Sequence, residues 1–119
     1  MNYTKFGEYF KILRIKNHEI LNDAKGFLGV SNAFISSVEC GKKPIPAEWF
    51  AKISNHYNLD EKEKNELQKA IDLSQRNINI KLTNVSMNKK NVAVQFQRSF
   101  DDMNDETAKN IYKILERKK

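Results

Sequence analysis

Glycine and proline, the residues that most often interrupt regular structure, are confined to one stretch of this chain. Of four glycines and two prolines, Gly26, Gly29, Gly41, Pro44 and Pro46 fall within one stretch of about twenty residues, and Gly7 alone lies outside it. Long helices are therefore permitted on both sides, with tight turns between them. A chain of 119 residues makes one ordinary domain, or a small domain with an accessory piece. Its 39% hydrophobic and 10% aromatic residues are enough for one real core.

Apolar spacing fills in the helices. Phe6, Phe10 and Leu13, with Ile12 beside them, recur at three and four residues and predict a first helix over 3–16. Asn17-His18 is a stop, because asparagine tolerates the left-handed backbone of helix ends. A short second helix spans 21–28, with Leu21, Ala24 and Leu28 inward. Gly29 makes a turn, and Ser31 caps a third helix running to Cys40, with Phe34, Ile35 and Val38 inward. Pro46 suits the first turn of a fourth helix, which buries Trp49 or Phe50 together with Ile53 and Tyr57. Asp60-x-x-Glu63 reads as a capping box opening a fifth helix, with Leu67, Ala70, Ile71 and Leu73 inward.

The remainder differs. Residues 77–82 alternate Asn-Ile-Asn-Ile-Lys-Leu, the period of a short strand. Ser86 then caps a sixth helix with Val92, Phe96 and Phe100 in line, and Asn104 caps a seventh with Ala108, Ile111 and Leu115 in line. These two are expected to form an antiparallel hairpin. The expected fold is mainly α: a five-helix helix-turn-helix domain over 1–74, then a short β-strand and a C-terminal helical hairpin over 75–119.

Charge narrows function only slightly. Lys and Arg number 21 against 15 Asp and Glu, a net charge of +6, which suits an anionic partner. The excess is not concentrated. Residues 1–59 carry 8 basic and 5 acidic side chains and residues 60–119 carry 13 and 10, each net +3. One cysteine, Cys40, makes no internal disulfide and is expected to be an inert thiol. Cys40, His18 and His56 are too few and too scattered for a zinc site. His18 and His56 fall near predicted helix ends, where capping or surface roles suit them. No phosphate-cradling glycine loop and no nucleophile motif occurs, so catalysis, a cofactor and a metal are not expected. No signal-peptide or membrane-spanning stretch is seen, and a cytoplasmic location is expected.

The segment LNDAKGFLGVSNAFISSVECGKKPIP has the layout of a helix-turn-helix: two short helices, a glycine turn, and a second helix that begins with small polar residues. A helix fits the major groove of B-DNA and meets base edges with its N-terminal side chains. Phe27-Leu28-Gly29-Val30-Ser31, Ala33-Phe34-Ile35-Ser36-Ser37-Val38-Glu39 and Gly41-Lys42-Lys43, in that order, resemble the XRE-type (lambda-repressor/Cro-like) helix-turn-helix family. The similarity spans residues 6–74. It is to a branch of small regulators found in bacteria and on mobile elements, usually transcriptional regulators and often repressors of their own operons.

The resemblance implies roles. Ser31, Asn32, Ala33, Ser36 and Ser37 match base-facing positions, with Asn32 the best direct reader because an amide bonds adenine bidentately. Lys42 and Lys43 match a loop that runs beside the phosphates. Asn22 matches a phosphate contact from the other side. Arg14 and Glu39 match an Arg–Glu pair that joins the first helix to the recognition helix. Two positions depart from the pattern. Lys25 stands where the family has Ala, followed by Gly26 at a cost of about 1 kcal/mol in helix propensity. Either Lys25 turns outward and adds a phosphate contact, or the helices are spaced differently. Cys40 stands where Asn is often seen.

The function expected is a sequence-specific, homodimeric regulator of transcription, acting as a repressor on double-stranded DNA with an inverted repeat. One head reads too few bases, and the tail shows an apolar stripe with no cover: Ile78, Ile80, Leu82, Val92, Phe96, Phe100, Ile111 and Leu115 are the expected dimerisation residues. The alternative is a protein-interaction module, such as an antitoxin or a phage-encoded inhibitor, in which the tail grips a protein partner.

Overall fold

The computed structural model describes residues 2–117. Seven helices follow one another: α1 (Lys5–Lys16), α2 (Leu21–Leu28), α3 (Asn32–Glu39), α4 (Trp49–His56), α5 (Glu61–Ser74), α6 (Met87–Ser99) and α7 (Asp105–Glu116). The chain divides into two units, Met1–Ile78 and Asn79–Lys119. Among the described residues, no helix is long and apolar enough to cross a membrane.

The first unit is built around α1, which runs along α5 and also touches α3. Thr4 caps α1 by accepting from the Gly7 amide at 3.0 Å. Phe6, Phe10 and Leu13 then face the core while Ile12 is 55% exposed, because it lies round the helix from that stripe. The chain leaves α1 through Asn17, and the left-handed residue is His18 (φ 58°) rather than the asparagine. Trp49 is the residue that α4 buries fully, packed among Phe6, Phe10 and Phe34, and Phe50 is only half-buried. The Asp60–Glu63 capping box forms in both directions, at 2.8 and 3.0 Å. Leu67, Ala70 and Ile71 are buried behind it, Leu73 is exposed, and Leu59 joins the core.

The strand expected over 77–82 is not there. Those residues belong to no helix or strand, and Ile78 and Ile80 are 75% and 66% exposed. Alternation supplies the side-chain period of a strand, whereas a strand exists only through ladder hydrogen bonds to a neighbour. Among the described residues no strand forms, so the fold class is all-helical. Arg76 lies in the first unit and donates to the Gly41 carbonyl at 2.8 Å.

The second unit also departs from expectation. Ser86 and Asn104 cap α6 and α7 as the sequence indicates. The helices do not pack along their lengths as an antiparallel hairpin, and neither buries a residue. One pair of short helices has a single line of contact, too little apolar burial to hold it closed in water.

Candidate nucleic-acid interface

The helix-turn-helix rests on two left-handed glycines. Gly29 (φ 71°) ends α2, its amide donating to the Lys25 carbonyl at 2.9 Å. One residue later the Ser31 hydroxyl accepts from the Phe34 amide at 3.1 Å and opens α3. Gly41 (φ 78°) ends α3 in a Schellman motif: its amide donates to the Val38 carbonyl, and that of Lys42 to the Ser37 carbonyl. Only glycine adopts these conformations without strain, so both ends of α3 are set by local chemistry.

Packing sets its orientation. Ile35 and Val38 are buried, and so is Glu39. Arg14 of α1 donates to a Glu39 carboxylate oxygen at 2.7 Å, with side-chain exposures of 7% and 2%, and its guanidinium lies over the Phe10 ring, 4.6 Å from the centroid. The Arg–Glu pair implied by the resemblance is thus formed across 25 residues of sequence. A second tie is less visible in the sequence. The Thr4 amide and hydroxyl both donate to the Glu39 carbonyl, at 2.9 and 3.0 Å. A Cβ on Gly7 would overlap that same carbonyl oxygen. Gly7 therefore lets α1 and the end of α3 touch backbone to backbone, a contact that no spacing rule reveals.

On the other side of α3, Ser31 and Ala33 are exposed, and Asn32, Ser36 and Ser37 are half-buried. Asn32 does not point freely outward. Its Nδ2 donates to Asn22 Oδ1 at 3.4 Å, and its own Oδ1 is enclosed without a partner. The base-reading and phosphate candidates from the two helices therefore touch each other. Such a long bond beside an unpaired acceptor is little to give up for a base edge, since unpaired buried polar atoms are costly.

Lys25 is exposed. Ala24, one residue earlier, is fully buried where α2 nears its neighbours. The intrinsic weakness of α2 is offset from outside. Phe27 stacks on His56 of α4, 3.8 Å apart and 7° from parallel, and meets Tyr57 edge-on. Glu19 receives the Tyr57 hydroxyl at 2.7 Å and lies 2.9 Å from His56 Nε2. Burial, and then this hydrogen bond, push the Tyr57 phenol well above its ordinary range, so it remains a donor at neutral pH. Lys52 adds a bond to the Leu28 carbonyl at 3.4 Å.

Lys42 and Lys43 are exposed on the loop leaving α3. Their amides both return to the Ser37 carbonyl, at 2.8 and 3.3 Å, which pins the loop to the last turn of α3. Arg76 joins the same loop through the Gly41 carbonyl and places a third cation there. No sequence signal marked Arg76, because the contact spans 35 residues and its partner is a backbone atom. Among the described residues, no group of three or more His, Cys, Asp or Glu side chains is placed to hold a metal ion. Cys40 is free and half-buried. Comparison with protein-family models, with curated proteins and with solved structures finds no match to this chain.

Proposed function

We propose that the chain is a sequence-specific DNA-binding regulator of transcription that reads the major groove with α3. The observation that carries this reading is a polar helix N-terminus, Ser31 to Ser37, anchored from behind by the Arg14–Glu39 pair and flanked by the Lys42, Lys43 and Arg76 cations. Asn32 reads a base edge after leaving Asn22. Ser31, Ser36 and Ser37 supply further polar contacts, and Ala33 meets a thymine methyl. Lys42, Lys43, Lys25 and Arg76 lie against phosphates and set the salt dependence. Two copies read an inverted repeat with half-sites about 34 Å apart and repress by occluding polymerase in the cytoplasm.

The test is protection of DNA flanking the gene, at several salt concentrations, with random duplex as competitor. A protected inverted repeat whose affinity falls steeply with salt supports the reading. Equal affinity for every sequence refutes it. The interaction-module alternative draws on exposed Ile12 and Ile15 of α1, an apolar pair on the head that DNA reading does not use. A stoichiometric protein partner with no shift of DNA would favour that alternative.

A further inference from the structure

α6 is ill-suited to stand alone. Val92, Phe96 and Phe100 are 69%, 41% and 60% exposed, and four-residue spacing lines them up on one face. Phe96 and Phe100 already lie together, with ring centroids 5.5 Å apart. Arg98 in the last turn suits the helix dipole, but the other charges at its two ends have the wrong sign. Lys89 and Lys90 sit in the first turn, where no acidic residue accompanies them, and Asp101 and Asp102 follow the last. Cations at a helix N-terminus and anions at its C-terminus are both unfavourable. Among the described residues, none of these four side chains has an ion-pair partner.

One arrangement answers all of these features. In an antiparallel pair of identical helices, residues facing each other have numbers of constant sum. Centring the pair on Phe96 sets Val92 against the partner's Phe100 twice and Phe96 against the partner's Phe96 once, on the two-fold axis. Lys89 then falls near the partner's Asp101, and the two opposed dipoles compensate. The apolar stripe and the end charges favour the same antiparallel order, and a surface that is its own complement is what a two-fold dimer needs. A heterologous protein would have to match both by coincidence.

The area is also adequate. With Ile111, Ile114 and Leu115 of α7, of which Ile114 and Leu115 are 61% and 62% exposed, each copy offers six large apolar side chains. At roughly 100 Å² apiece, two copies hold about 1,200 Å², the lower end of specific interfaces. Four helices in place of two enclose a core.

We propose that two copies of this chain pair through α6 against α6, antiparallel and centred on Phe96 by the apolar stripe, with the end charges setting the antiparallel order. This rests on the homodimer part of the proposed function and specifies how the copies meet.

Two full-length variants test it by sedimentation in the absence of DNA. Lys89→Glu with Lys90→Glu makes both ends acidic, and Asp101→Lys with Asp102→Lys makes both ends basic. Each alone is expected to dimerise at least tenfold more weakly than the wild type, and an equimolar mixture to recover a heterodimer. As a second measurement, Phe96→Cys in a Cys40→Ser background is expected to cross-link to itself on mild oxidation, since the two-fold axis passes there. Val92→Cys is expected to cross-link efficiently only when mixed with Phe100→Cys. A wild-type dimer that neither charge reversal weakens, or that the mixture does not restore, overturns the antiparallel order but leaves the homodimer reading standing. A wild-type chain still monomeric at ~100 μM overturns both. Sequence-specific DNA protection is read separately and is decided by neither outcome.

Discussion

Gly7 and Gly26 both lie within helices, and alanine is expected to act on them with opposite sign. Helix propensity alone favours alanine by about 0.5–1 kcal/mol at either position. At Gly26 a Cβ would meet nothing within 4 Å, so the propensity gain stands unopposed. At Gly7 the added Cβ would overlap the Glu39 carbonyl oxygen and stand 2.9 Å from its carbonyl carbon. Those are backbone atoms, which no rotamer change can move. Restoring ordinary contact requires α1 and the end of α3 to part by about 1 Å. That movement stretches both Thr4 bonds to the Glu39 carbonyl, worth about 0.5–1.5 kcal/mol each, and disturbs the core at about 1–3 kcal/mol. After the propensity gain is subtracted, Gly7→Ala costs about 1–5 kcal/mol. Trp49 is the single tryptophan and is fully buried in the first unit, so its fluorescence follows melting of that unit alone. At about 4–8 °C per kcal/mol for a domain of this size, the midpoint should fall by about 4–40 °C for Gly7→Ala and rise by about 2–8 °C for Gly26→Ala. Shifts of the same sign for both variants would refute the close approach of α1 to α3.

The buried pair is expected to behave asymmetrically. Glu39→Gln leaves the Arg14 charge enclosed at a cost of about 3–5 kcal/mol, whereas Arg14→Met with Glu39→Met is near neutral, as a urea-denaturation cycle would measure. On DNA, Asn32→Ala should lose about 1–3 kcal/mol at the operator and little on random sequence. Lys42→Ala should weaken both alike and lower the salt slope by about 1. Arg76→Ala should resemble Lys42→Ala and, by freeing the Gly41 carbonyl, also speed proteolysis near that loop. The Tyr57 phenol, held above its ordinary value of 10.0, favours the protonated folded form. Its stabilisation is complete below about pH 10 and is lost as the pH rises further. The advantage of the wild type over Tyr57→Phe in chemical denaturation should therefore be flat from about pH 6 to 9 and shrink above about pH 10.

Features decided by neighbours along the chain could be read from residue order alone. The Ser31, Ser86 and Asn104 caps, the Asp60–Glu63 box and the left-handed Gly29 depend on atoms within a few residues of each other, and the amino acids at those positions dictate the geometry. The Phe6–Phe10–Leu13 stripe is likewise a matter of helical period. Resemblance added Arg14–Glu39, which no local rule would have joined.

Contacts between distant backbones, and the consequences of having or lacking a partner, were decided only by tertiary structure. Gly7 against Glu39 and Arg76 on Gly41 are meetings of backbone atoms that carry no side-chain signature. The Asn22–Asn32 contact depends on the angle at which α2 meets α3. At residues 77–82 the alternation was real and the strand was not, since a ladder needs a second member. In α6 and α7 the apolar periods were correct too, yet nothing is buried within one chain. Periodicity in a sequence records which face of a segment is apolar. What covers that face is a property of the assembled molecule.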